Sequence, residues 1–202
     1  MSISSAMIKG DALRTASKDQ FKDGHKIRAL VSKKMAKKAP AQMSRSDKTV
    51  LHRTLRPMEL TPYHLARYIY KGAAIAPLYD NAMMRDKDFL EVWHMVFEFS
   101  GSVTSKLAHP DSLAWYFASF AFECDGKTYL VLVTSEPITS IEQYKAIYSG
   151  LAKEFAKEGQ NVLGSDMPSV TYAVTGCPIR GNWSVLHDLD YWETHNAHLG
   201  GC

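Results

Sequence analysis

"LAWYFASFAFECDGKTYLVLVTS", Leu113–Ser135, is the stretch on which the fold of this chain turns. Asp125-Gly126 stands between two apolar runs, and an Asp-Gly pair is the strongest local signal for a two-residue hairpin, because both central residues of that turn need positive φ. Both faces of Leu113–Cys124 and of Thr128–Val133 are apolar. A strand with one wet face alternates; strands apolar on both faces belong in the middle of a sheet covered twice. The pattern predicts two adjacent central strands, covered by two helices or by a helix and another subunit.

Working outward, "EVWHMVFEFS" (Glu91–Ser100) alternates as a strand with one buried side: Trp93, Met95, Phe97 and Phe99 share one face, and Val92, His94, Val96 and Glu98 the other. "SVTYAVTG" (Ser169–Gly176) predicts a strand with Val170, Tyr172 and Val174 inward, and "GNWSVLHDL" (Gly181–Leu189) reads as a further one. Two helices are strongly marked. At Thr61 a cap precedes Pro62 in the first helical position, Leu60 is placed to staple onto Leu65, and Leu65, Tyr68, Ile69 and Ala73 form one face. From Ser140 the chain carries a capping box with Gln143, a stripe of Ile141, Tyr144, Ile147, Tyr148, Leu151 and Phe155, and a stop at Gly159. Ala76–Asp88 between them reads as a loop, with Met83-Met84 as packing. This order lacks regular strand–helix alternation, so the fold class is α+β: a mainly antiparallel sheet of about five strands with packed helices, preceded by a basic N-terminal extension.

With 202 residues, 46% of them hydrophobic, the chain has material for one substantial core and no visible repeat. The charge is unevenly placed. Residues 1–56 hold 14 of the 24 Lys and Arg but four of the 21 acids. Ile27, Leu30, Val31 and Met35 fall at helical spacing with lysines opposite, and Pro40 ends the pattern. The expectation is therefore an extension over residues 1–56, holding a short amphipathic helix and a linker, ahead of a globular domain over residues 57–202.

Charge asymmetry of this kind points to polyanions. Lys26, Lys33, Lys34, Lys37, Lys38, Arg45, Lys48, Arg53 and Arg56 are the candidate nucleic-acid contacts, acting through phosphate neutralisation because Phe21 alone offers a stacking ring in the segment. An acidic protein surface, including that of a neighbouring copy, would satisfy the same charges. The leading functional expectation is a non-enzymatic binding or assembly protein, possible homo-oligomer, using this arm. The rival is a small cytosolic enzyme with a pocket between the sheet and loops 76–88 and 177–183, lined by His94, His109, Cys177 or Arg180.

No side-chain constellation declares a chemistry. His187, Tyr191, His195 and His198 would share one helical face with Cys202 beyond, but His187 is too distant from His195 to share one ion, and a solvated tail is favoured; no metal and no cofactor is expected. Cys177 and Arg180 are too close in sequence for a phosphate-cradling cysteine loop. His94 and Glu98 share a strand face some four residues apart, roughly 13 Å, which is no dyad, so His94 reads as a cross-strand packing partner. P-loop, GxGxxG, HExxH and GxSxG signatures are missing from the chain. Three dispersed cysteines favour a reducing compartment, and the opening residues lack a signal-peptide apolar run, so the expected location is the cytoplasm without a membrane span.

Overall fold

The computed structural model describes residues 6–8, 24–80, 85–100, 118–157, 159–164, 166–181 and 186–189. Strands and helices are numbered in chain order. The Asp-Gly hairpin forms as the residues require: β7 (Phe120–Cys124) and β8 (Lys127–Ile138) pair antiparallel from Cys124–Lys127 to Phe120–Val131, with Asp125 at φ 56° and Gly126 at φ 69°. On its other side β8 pairs with β6 (Phe89–Ser100). β10 (Ile179–Gly181) extends the sheet beyond β7, and β1 (Ala6–Ile8) beyond β10. The outer edge of β6 carries β5 (Leu78–Tyr79) at one end and β9 (Val162–Leu163) at the other. The result is a seven-stranded antiparallel sheet with the order β1-β10-β7-β8-β6-β5 and β9 off that path.

Each face of the sheet has its own cover. α3 (Ile141–Lys157) lays Tyr144, Ile147, Tyr148, Leu151 and Phe155 on Met95, Phe97, Phe99, Leu130 and Leu132, with Phe97 stacked on Tyr148 at 4.3 Å and edge-on to Phe155 at 5.2 Å. The helix starts where expected, with the Gln143 N–H donating to Ser140 Oγ at 3.2 Å. The opposite face, carrying Phe120, Phe122, Tyr129, Val131 and Val133, packs against Ile27, Ala29 and Val31 of β2 (Ile27–Met35) and against Leu65 and Ile69 of α2 (Pro62–Tyr70). β2 is the middle strand of a second sheet, flanked by β3 (Leu55–Leu60) and β4 (Ala73–Ala76). A helix on one face fits the expectation, but the second cover is neither another helix alone nor another subunit. It is the chain's own N-terminal segment.

That segment is where sequence and structure differ most. Ile27–Met35 is a strand, not the amphipathic helix the spacing predicted. Ile27 and Val31 satisfy a helical i, i+4 step and a strand alternation equally, and Ala29 between them is also fully buried, which decides for period two. Leu30, on the other face, is half-buried. The residues after Pro40 are likewise not a linker: α1 (Arg45–Arg53) opens on a reciprocal capping box in which Ser44 Oγ accepts from the Asp47 N–H at 3.1 Å and the Asp47 carboxylate accepts from the Ser44 N–H at 2.9 Å. Those bonds from Ser44, with Lys38 beside them, hold the Asp47 carboxyl down to about 2. The boundary expected near Arg56 falls inside β3, every residue of which is in register with β2.

Three further differences follow from local geometry. A register shift between Val92 and His94 breaks strict alternation, so Val92 joins the α3-side core while Trp93 packs on the opposite side. Thr171 alone of 169–176 bridges another strand segment, at Ile75, and it is Ala173 rather than Val170, Tyr172 or Val174 that is fully buried there. Within Gly181–Leu189, Gly181 ends β10 and His187 bridges Thr134, while residues 182–185 lie outside the described residues, as do Leu113–Phe117 of the opening stretch and Met83-Met84. Gly72, between α2 and β4, has φ 88°, and a Cβ there would stand 2.9 Å from the Thr175 backbone nitrogen and 3.0 Å from the Ala36 carbonyl oxygen.

Two outcomes test this architecture. Ile27→Ala should cost about 2–5 kcal/mol in denaturant unfolding, the range for truncating a fully buried aliphatic side chain. Deleting residues 1–56 should leave no cooperative unfolding transition, because the cut bares the face of β7 and β8 that β2 covers; a folded 57–202 fragment would contradict the two-cover arrangement.

Candidate functional site

Between β5, which pairs with β6 at Phe89 and Glu91, and β9, which pairs with it at Glu98 and Phe99, the described residues supply no strand for the outer edge of β6. The stretch Met167–Thr171 borders the same space as His94, Val96 and Glu98 on this side of β6. It is tied down by Tyr79 Oη donating to the Pro168 carbonyl at 2.8 Å and by the two backbone bonds between Ile75 and Thr171. This space is a cavity of about 330 Å³. His94, Val96 and Glu98 of β6 form its floor, with Tyr129 and Lys127 beside them on β8; cross-strand pairing of Glu98 with Tyr129 puts these side chains on one face. Pro40, Ala41, Lys48 and Tyr172 stand over the floor, and Tyr144 and Tyr148 of α3 close one end. The Ala41 N–H donates to the Asp125 carboxylate at 2.8 Å, fastening the turn before α1 to the hairpin turn.

His94 is the anomalous group. It is 3% exposed, and its Nδ1 has no hydrogen-bond partner. Burial alone pushes its pKa from 6.5 down to about 4, so the imidazole is neutral at physiological pH. An unpartnered buried polar group costs about 1–3 kcal/mol, which a packing role does not offset. His94 does face Val133 across the strands, as the packing reading required, but it also lines the cavity.

The remaining polar groups are arranged by charge. Lys127 Nζ donates to Glu98 Oε1 at 2.5 Å, and this bond raises the pKa of the lysine. Lys48 Nζ lies 5.5 Å from the centroid of Tyr172, and His52 stacks on that ring and hydrogen-bonds its hydroxyl. Burial, and then Lys48, lower the His52 pKa. Burial drives the Tyr148 phenol up to about 12 and those of Tyr129 and Tyr144 upward, so all three stay neutral donors. The cavity thus combines two ammonium groups (Lys48, Lys127), two carboxylates (Glu98, Asp125), one neutral imidazole and a tyrosine-rich wall.

Of the nine basic residues singled out in the sequence, Lys48 lines this cavity. Lys34, Lys37 and Lys38 rim a second groove of about 680 Å³, between the end of β2 and α1, floored by Met35, Met43 and Leu51. Lys38 is paired with Asp47 at 3.1 Å and Lys26 with Glu59 at 3.3 Å. Lys33, Arg45, Arg53 and Arg56 are exposed, and Arg56 donates to the Leu55 carbonyl at 2.6 Å. Of the pocket expected between loops 76–88 and 177–183, Pro77 does line the cavity, whereas Cys177 and Arg180 stand at β10, across β7 and β8 from β6. His109, Trp183, Tyr191, His195, His198 and Cys202 lie outside the described residues. Among the described residues no group of three or more His, Cys, Asp or Glu is placed to hold a metal ion, and no helix is long and apolar enough to cross a membrane. Lys127 and Tyr129 were missed because they sit in an apolar hairpin; their alternation with the turn, two residues apart on one strand face, was the available signal.

No protein-family model matches the chain, and no curated protein matches it. Among solved structures it is similar to the AEP domain of the primase-polymerase of cyanophage S-2L, at 15% identity and a TM-score of 0.47, covering 85% of this chain and 88% of that one. The expectation of a non-enzymatic protein reaching out with a basic arm is corrected here. The supposed arm is β2, α1 and part of β3, built into the core and the lining of a cavity.

The state of His94 sets a pH dependence. In the unfolded chain an imidazole takes up its proton near 6.5, whereas the native one stays neutral until about 4. Protons therefore bind preferentially to the unfolded state in that window, and the native state loses stability as pH falls from 6.5 towards 4, by on the order of 3 kcal/mol. The unfolding free energy of His94→Gln, compared with the unsubstituted protein from pH 7 to 4, should fall less steeply by about that amount.

Proposed function

We propose that the cavity beside β6 is the active site of an enzyme acting on a nucleotide or nucleic-acid substrate. The observation that carries this reading is the unpartnered, neutral His94 in the wall of a cavity that also presents Glu98, Lys127 and Lys48. A bound polar group restores the missing hydrogen bond of the imidazole, so the cost of leaving it open in the free protein is met by the ligand. Lys48 and Lys127 select for anionic groups, and the phenols and the Tyr172 ring provide flat, hydrogen-bonding walls for a heterocycle. A volume of about 330 Å³ lies at the small end of ligand pockets and suits a single nucleotide unit.

The chemistry these groups supply is electrostatic and acid–base. Lys48 and Lys127 stabilise charge on phosphoryl oxygens, Glu98 accepts a proton once a substrate displaces Lys127 from it, and His94 orients the substrate as an uncharged hydrogen-bonding group. Outside the cavity, Lys33 and Lys34 on β2, Lys37 just beyond it and Arg45 on α1 give a strand's phosphates a sequence-tolerant path towards Lys48.

The test is titration of a fluorescent nucleoside triphosphate and of a labelled single-stranded oligonucleotide. Lys48→Ala with Lys127→Ala should weaken nucleotide binding tenfold or more while circular dichroism is unchanged. Each lysine removed from the path should reduce the log–log salt slope for the oligonucleotide by about 0.7, the single-strand value per phosphate. Absence of nucleotide binding at low salt would dismiss the reading.

A further inference from the structure

Cys124 closes β7, and Cys177 lies two residues before β10. The β7–β10 register pairs Phe122 with Ile179, and one more antiparallel step sets Cys124 directly opposite Cys177. The ladder continues to this point, since the Glu123 N–H donates to the Pro178 carbonyl at 3.0 Å. Both residues are buried free thiols. Cβ atoms of directly opposed strand residues stand about 4.5–5.5 Å apart, against roughly 3.5–4.5 Å across a disulfide, so a small closure joins them. Each cysteine borders an exposed turn with positive φ: Asp125-Gly126 after the first, and Thr175-Gly176, with Gly176 at φ 89°, before the second.

We infer that Cys124 and Cys177 form a redox modification site, a dithiol that a peroxide converts reversibly to an intramolecular disulfide. The hydrogen bond received from Cys124 lowers the pKa of Cys177, while the same bond and burial raise that of Cys124, which sets the order of events. The Cys177 thiolate attacks one peroxide oxygen, the O–O bond breaks, and the departing hydroxide takes up a proton to leave as water, giving a sulfenic acid on Cys177. Cys124, losing its proton, attacks that sulfur and displaces hydroxide, which leaves as the second water. Two thiols lose two electrons in total, and one hydrogen peroxide becomes two waters. The bond ties the hairpin turn that carries Asp125 and Lys127, part of the cavity wall, to the 175–177 segment, where the Gly176 N–H and Thr175 Oγ1 are held by the Tyr70 and Lys71 carbonyls of α2 and its cap. This inference does not depend on what the cavity binds.

The experiment uses the full chain with Cys202→Ser, so that two thiols remain. Folded protein treated with hydrogen peroxide at a few equivalents should lose both thiols together in a thiol-titration assay. Peptide mapping should find one Cys124–Cys177 linkage, removed by dithiothreitol, and the thermal midpoint of the oxidised form should rise. With Cys124→Ser added, a sulfenic-acid trap should label Cys177; with Cys177→Ser instead, Cys124 should stay unlabelled. The inference is overturned if both thiols persist in folded protein under conditions that oxidise the unfolded chain, or if the linkage forms only between molecules.

Discussion

β8 is apolar on both faces, and a strand of this kind has to be dry on both. Leu130 and Leu132 point to one side and Tyr129, Val131 and Val133 to the other, and all five are buried. At roughly 25 cal/mol per Å² of apolar surface, leaving either face wet would forfeit a large part of the folding free energy. α3 meets one half of this requirement with a single amphipathic stripe. The other half is met by β2 and α2, which is why the most basic part of the chain is also structural: its lysines occupy the outer faces of elements whose inner faces hold Ile27, Ala29 and Val31.

The cavity follows from the same arrangement. β6 is dry along its α3 side, but among the described residues its outer edge is paired only at its two ends, and the residues facing away from α3 run His94, Val96, Glu98. Because α1 and Tyr172 are held above that face by the small sheet, the polar floor acquires a cationic roof. Edges left unpaired are ordinarily protected. Here Met167–Thr171 and His94 line one cavity beside that edge.

The parts legible in advance were those specified by neighbours in sequence. The Asp125-Gly126 turn, the Thr61-Pro62 start of α2 and the Ser140 cap with the stripe of α3 each rest on contacts spanning a few residues, and each was placed correctly. β2 was not, because Ile27 and Val31 fit periods of 3.6 and 2 alike and a run so rich in lysine reads as solvated. The capping box of Ser44 and Asp47 was present in the sequence and announced α1, yet the surrounding charge was read as a linker.

The site divides along the same line. That His94 and Glu98 share a strand face is a property of local alternation and was evident from the sequence. That Lys48, Lys127, Tyr144 and Tyr172 converge on them was not, since these residues come from α1, β8, α3 and the chain before β10, and no linear spacing relates them. The sequence by itself determined the hairpin, two of the helices, the α+β class and the apolar excess that demanded two covers. Which segment would supply the second cover, and so which charged groups would face the open edge of β6, was decided by long-range packing of surfaces whose complementarity exists only once the sheet has formed.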